Sequence, residues 1–290
     1  MSDAPAPLGL GQGLHEGIAE EQYHADLLCD EPTLSRSIAR LLLDKSPLHA
    51  WTAHPRLNPA YRAKRTDTLD VGRAIHALAL TNVDLCDVID ASDWKTKAAQ
   101  EARDKSHQLG RVPVLPAQYK MISDMAEALQ PFLVDLPEAR REVTGIYRDA
   151  GVLCRVRFDF LPHDPAAPIY DYKTTTDATP QAFARAAWRY GYDLQAAWYA
   201  RAHKVLRGYA PGGFIFIAQE KAPPYAVTLH RLTDGAYEYA ERRCDEALTT
   251  WGRCLRLNDW PSYEPIIHEI TAPPWSFDRD EDLIFSEAPE

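Results

Sequence analysis

The segment 142–177, EVTGIYRDAGVLCRVRFDFLPHDPAAPIYDYKTTTD, decides the fold. Two β-prone runs, EVTGIYRD and VLCRVRFDFLP, flank Ala150 and Gly151, a two-residue link of the kind that closes a hairpin. PIYDYKTT reads as a third strand. Strict alternation along CRVRFDF places Arg155, Arg157 and Asp159 on one face and Cys154, Val156, Phe158 and Phe160 on the other. On the third strand Asp171 and Lys173 stand two apart, so their side chains point the same way. Neighbouring strands lie about 4.8 Å apart, so Asp159 and Asp171 can share one divalent cation. A lysine beside such a cation can orient or deprotonate a water and add positive charge near an attacked phosphorus. Taken alone, the Asp171–Lys173 pair also reads as a surface ion pair worth roughly 0–1 kcal/mol.

Around this centre the sequence alternates helices and strands. PTLSRSIARLLLDKSPLHAW predicts one helix, capped at Thr33 or Ser35 and ended by Pro47. DTLDVGRAIHALAL predicts a second helix, and WKTKAAQEARDKSHQLG is polar and helix-prone. PAQYKMISDMAEALQPFL is amphipathic, started by Pro116 and stopped by Pro131. Beyond the third strand, PQAFARAAWRYGYDLQAAWYARAHKVL predicts one long helix, followed by strands GGFIFIAQE and YAVTLHRL and a closing helix DGAYEYAERRCDEALTTW. This order predicts an α/β fold with a mixed central β-sheet flanked by helices. Residues 1–22 read as a disordered acidic N-terminus, 23–275 as one folded domain with its core at about 67–220, and 276–290 as an acidic flexible tail.

The composition, 46% hydrophobic and 26% charged, is that of a soluble globular protein. No apolar run approaches the roughly 20 residues of a membrane span, and MSDAPAPLGLGQG lacks the pattern of a secretion signal. A cytoplasmic location is therefore expected. Five scattered cysteines contain no C-x-x-C pair, which argues against a zinc ribbon and predicts reduced, buried thiols. The net charge of -10 hides an uneven distribution. Residues 1–31 carry seven acids and no Lys or Arg, whereas residues 36–73 carry eight Lys or Arg against three Asp. A basic surface can coexist with acidic ends.

Four motifs follow one another in order. GRAIH sets Gly72 and His76 one helical turn apart; Asp159 ends the hairpin; DYK follows; QAAWY sets Gln195 and Tyr199 on one helix face. In this order the chain resembles the PD-(D/E)xK nuclease superfamily, in its RecB-like branch. TLSRSIARLLLDKSPLHAW and FARAAWRYGYDLQAAWY narrow the resemblance to RecE-type (exonuclease VIII-like) phage and prophage exonucleases, over about residues 23–265.

The resemblance implies that His76, Asp159, Asp171 and the Tyr172 backbone carbonyl hold a metal ion, Mg²⁺ with Mn²⁺ able to substitute. It implies that Lys173 is the catalytic lysine, that Gln195 and Tyr199 orient the site and contact substrate, and that Glu142 stands behind the ligands. The motif opens with Asp where many relatives have Glu, and both supply a carboxylate. Some relatives hold an iron–sulfur cluster through four cysteines; the spacing here predicts none. The implied activity is degradation of linear double-stranded DNA from its ends, 5′ to 3′, leaving 3′ overhangs for recombination in a bacterial host. A single-strand annealing protein is the implied partner and a ring-shaped homo-oligomer the implied assembly. An endonuclease, a single-strand-specific nuclease or a non-catalytic DNA-binding module on the same scaffold are the alternatives. Ser35, Ser37 and Arg40 read either as a terminal-phosphate site or as helix capping, and Arg157 as a substrate contact. Gln195 and Tyr199 also fit a buried polar pair, and Trp188, Tyr190, Tyr192 and Trp198 either stack on bases or fill the core.

Overall fold

The computed structural model describes residues 6–62 and 67–271. In chain order the first elements are β1 (Gly13–His15), α1 (Glu20–His24), β2 (Leu34–Ser35), α2 (Arg36–Asp44), α3 (Pro47–Ala53) and α4 (Asp67–Thr81). Then come β3 (Cys86–Val88), α5 (Lys97–Gln108), β4 (Val112–Val114) and α6 (Pro116–Val134). The hairpin strands are β5 (Ala139–Asp149) and β6 (Val152–Pro162), followed by β7 (Ile169–Thr175), α7 (Pro180–Tyr190) and α8 (Tyr192–Arg207). The last elements are β8 (Phe214–Glu220), β9 (Val227–His230) and α9 (Asp234–Leu257).

The sheet runs β1-β5-β6-β7-β8-β9, with β7 and β8 parallel and the other neighbours antiparallel. Ala150 and Gly151 both take positive φ, 46° and 82°, as the tight hairpin turn requires. Helices α2, α8 and α9 cover one face, where Val156, Phe158, Phe214 and Phe216 meet Leu194, Trp198 and Trp251. Helices α4 and α6 cover the other, where Phe160, Tyr172 and Ile217 meet Ile75, Ile122 and Met125. Each fully buried Phe, Leu or Ile here contributes roughly 1.5–3 kcal/mol of apolar burial. All five cysteines are buried and free. Among the described residues no helix is long and apolar enough to cross a membrane.

Several elements depart from the sequence reading for local reasons. The first predicted helix is two, because Pro47 opens α3 behind the cap Ser46 instead of ending the run. Ser35, not Thr33, caps α2. Pro131 lies inside α6; the carbonyl it leaves without an amide partner belongs to Glu127, which is exposed to water. The long helix after β7 breaks at Gly191, whose φ of 69° is left-handed and whose Cβ, if present, would sit 2.8 Å from Arg40 Cδ. The small parallel β3–β4 sheet was hidden in segments too short to show a period.

Residues 13–22 are ordered in the fold, contrary to the expectation of a disordered end. β1 adds to β5, and Tyr23, Leu28 and Cys29 pack with Ile146 and Leu153. The acids of this arm meet arginines of the body. Glu20 and Glu21 bind Arg73, Glu16 binds Arg140, and Glu31 binds Arg148. Asp26 is fully buried against Arg155 at 2.6 Å, with Thr33 and His54 around it. The acidic arm and the arginine-rich body are thus counter-ions within one chain. The acidic tail at 276–290 lies outside the described residues.

Candidate active site

The site begins with an interruption in the sheet. β5 and β6 pair at ten positions, but β6 and β7 pair only at Phe160 and Tyr170. The strands fork, and β2 fills the far side of the fork by pairing in parallel with Cys154 and Arg155. The register sets Glu142 across from Asp159, in the gap between the pairs Arg141–Phe160 and Val143–Phe158, and, carried one residue past Phe160–Tyr170, sets Asp159 across from Asp171. Three carboxylates therefore stand in a row over three strands.

At the same level the two-residue alternation slips. Val143 and Phe158 face α8, whereas Phe160 faces α4 with the Arg141 guanidinium 3.9 Å over its ring. Phe160 is thus on the opposite face from Phe158, correcting the strict alternation expected of β6. The reversal coincides with Glu142, whose φ is 52°. A left-handed glutamate costs roughly 1–2 kcal/mol and is uncommon in a strand. The amide of Tyr172, which the open fork leaves without a strand partner, donates to Asp159 Oδ2 at 2.8 Å.

Helix α4 brings His76 to this row, with Nδ1 3.8 Å from Asp159 Oδ2 and its ring 5.1 Å from that of Tyr172. Ligand atoms of His76, Glu142 and Asp159 all lie within 4.8 Å of one another. Burial, then the neighbouring carboxylates of Asp171 and Glu142, push the Asp159 carboxyl well above its ordinary range. Burial and the Lys173 ammonium push the His76 imidazole down, which keeps it neutral and able to ligate. Crowded carboxylates beside a neutral imidazole form a donor set for a hard divalent cation, and the residues present fit one.

Asp171 is held from two sides. Gln195 Nε2 donates to Oδ1 at 2.6 Å, and the Lys173 ammonium lies against Oδ2. Gln195 Oε1 in turn accepts from Arg36 Nη2 at 3.0 Å, so the start of α2 reaches through the fork to the carboxylate. The sequence reading missed Arg36, since it lies in another motif and only the β2–β6 pairing brings it here. Tyr199 sits one turn beyond Gln195, packed edge-on against Phe158 and Phe214. Burial raises its phenol well above the ordinary range.

Other expected contacts are engaged elsewhere. Arg157 donates to Glu142 Oε2 at 2.6 Å and to the Ile18 carbonyl, so it fixes a site carboxylate instead of facing solvent. Ser35 is buried and caps α2 through Ile38 N–H, with Ser37 Oγ 3.1 Å from it. Arg40 binds the Tyr190 and Arg189 carbonyls and Asp44, closing the end of α7. Ser35 and Arg40 therefore serve capping and helix contacts, while Ser37 stays exposed beside the Ser35 hydroxyl. Trp198 is fully buried and donates to the Arg155 carbonyl, so it is core. Trp188 and Tyr190 are exposed.

A family described as a PDDEXK-like domain of unknown function (DUF3799) matches residues 42–267. No curated protein matches the sequence. The crystal structure of a "putative exonuclease" from Eubacterium rectale is similar over 91% of this chain and 98% of its own, with a TM-score of 0.60 at 13% identity. That likeness shows a common fold. A structure of the protein SSO0001 covers 65% of this chain and 79% of its own at 11% identity, with a TM-score of 0.29, too low to carry an argument.

Proposed function

The chain belongs to the PDDEXK-like family (DUF3799), and we propose that it is a metal-dependent exodeoxyribonuclease acting on linear double-stranded DNA. The observation that carries this reading is the convergence of His76, Glu142 and Asp159 beside the Asp171–Lys173 pair at the β6–β7 fork. A pure binding module gains nothing from three carboxylates in a row, which repel both one another and DNA. His76, Glu142, Asp159 and Asp171 would hold a divalent cation, with the Tyr172 carbonyl as a further ligand. Mg²⁺, or Mn²⁺ in its place, would acidify a water and offset charge building on the phosphate.

The chain's own groups do the rest. Lys173, against the Asp171 carboxylate, would offer a positive charge and a hydrogen bond to an attacking water or to the phosphate. Gln195 fixes one Asp171 oxygen, so the other is left to Lys173 and a cation. Arg36 fixes Gln195, and Arg157 fixes Glu142. Each link removes a rotamer freedom that would otherwise blur the geometry.

The finer reading rests on the resemblance to RecE-type enzymes: resection from 5′ to 3′, a 3′ single strand for a partner annealing protein, a ring of identical protomers, and a bacterial cytoplasmic setting of phage-type recombination. Digestion of linear duplex labelled at either end of one strand, beside closed circles, tests it. Loss of 5′ label first, with circles intact, is expected. Circles cut as fast as linear DNA would replace the exonuclease by an endonuclease on the same scaffold.

A further inference from the structure

Two tyrosines lead away from Lys173 toward solvent. Lys173 Nζ lies 5.1 Å from the centre of the Tyr192 ring, and that ring is 5.9 Å from Tyr190 at an interplanar angle of 36°. Residues two apart on a continuous helix point about 200° apart and their rings do not meet. Here the left-handed Gly191 between α7 and α8 turns both to the same side. The break that the sequence pattern conceals thus builds a ring pair at the site.

The pair is supported and asymmetric. Tyr192 is half-buried, backed by Phe216 at 5.6 Å and Phe183 at 5.9 Å. Tyr190 is 47% exposed, so its ring has a face to offer. Its carbonyl is gripped by Arg40 at 3.1 Å and Arg36 at 3.4 Å, which fixes the backbone beneath the ring. Arg189, exposed, holds its guanidinium 5.7 Å from the Tyr190 ring. Cations beside an exposed aromatic ring match a strand that carries a phosphate and a base at every step.

We propose that Tyr192 and Tyr190 form a stacking platform for consecutive bases of an unpaired DNA strand whose phosphate lies at Lys173. The proposal rests on the nuclease reading and adds the state of the substrate at the site: unpaired, since bases inside a duplex stack on each other and offer no free face. Duplex ends would have to fray by at least these bases before cleavage. Trp188, equally exposed on α7, turns instead to Tyr239 at 6.0 Å and takes no part.

Fluorescence anisotropy of a labelled single-stranded oligonucleotide, in EDTA so that no cleavage occurs, reads the platform directly. Tyr190→Ala is expected to weaken binding roughly 5- to 150-fold, the range for losing one base-stacking ring. Tyr190→Phe keeps the ring and should bind as wild type does, and so should Trp188→Ala. Thermal unfolding of each variant separates lost stacking from lost folding. Wild-type affinity in a folded Tyr190→Ala protein would overturn the platform, as would equal losses in Tyr190→Ala and Trp188→Ala. If the wild type binds no single strand yet degrades linear duplex, the platform fails and the nuclease reading survives. If it neither binds nor cleaves, both fail.

Discussion

Asp159→Asn should make the metal-free protein more stable while abolishing its response to metal. The Asp159 and Glu142 ligand oxygens lie within 4.8 Å of each other. Two unit charges at that distance repel by roughly 3 kcal/mol at an effective dielectric of about 20. Lys173 offsets part of this for the wild type, so the expected net gain is about 1–2 kcal/mol, or roughly 2–5 °C in Tm. Asparagine keeps an oxygen for the Tyr172 amide, so the backbone contact survives. The pH dependence has a definite sign. The folded-state carboxyl is raised by burial and by Asp171, so wild-type stability falls as pH rises from the unfolded pKa through the folded one. The variant lacks that fall. Its advantage should vanish below the unfolded carboxylate pKa and grow as pH rises toward the raised folded one. Thermal melts in EDTA and in millimolar Mg²⁺ read both effects, with Mg²⁺ raising the wild-type Tm and leaving the variant unmoved. A variant less stable than wild type in EDTA, or equally stabilised by Mg²⁺, would refute the carboxylate row as a cation site.

Other perturbations test the frame around the site. Gly191→Ala puts a Cβ 2.8 Å from Arg40 Cδ at a φ of 69°, and should cost about 1–3 kcal/mol in urea unfolding; an unchanged midpoint would contradict the packing there. Burial pushes the His54 imidazole down to about 4 despite Asp26 beside it. Its contribution is full above the unfolded pKa of about 6.5 and is lost as pH falls through 4, by about 3 kcal/mol in all. His54→Gln should flatten that part of the acid limb, and an unaltered slope between those values would show that His54 does not carry it. Gln195→Ala should slow DNA cleavage roughly 10- to 100-fold through a misplaced Asp171, while the Mg²⁺-dependent Tm shift persists. Loss of the shift as well would make Gln195 part of the cation site.

Much of this architecture is written in local pattern. The hairpin, DYK and QAAWY follow from alternation, a two-residue turn and a one-turn helical spacing, and the structure brings His76, Asp159, Asp171, Lys173 and Gln195 to one place. Features that depend on distant partners were not legible. Glu142 takes a left-handed backbone that no side-chain pattern announces, and its weight as a candidate ligand comes from lying across from Asp159. Arg36 reaches the site only through the parallel pairing of a two-residue strand. Residues 1–22 read as a disordered acidic end because the arginines that pair with their acids lie as far off as Arg73 and Arg140. Gly191 was invisible inside a run of aromatic and small residues that looks helical throughout. Pro131 misled in the other direction, since an exposed helix face tolerates the carbonyl it strands.

The most direct test of the central claim is the rate of phosphodiester cleavage in linear duplex DNA by wild type and Lys173→Ala, each in Mg²⁺ and in EDTA. The account predicts cleavage by wild type in Mg²⁺ alone, and a fall of at least about 100-fold in Lys173→Ala with its Mg²⁺-dependent Tm shift intact. Equal rates in EDTA, or full activity without the lysine, would contradict it.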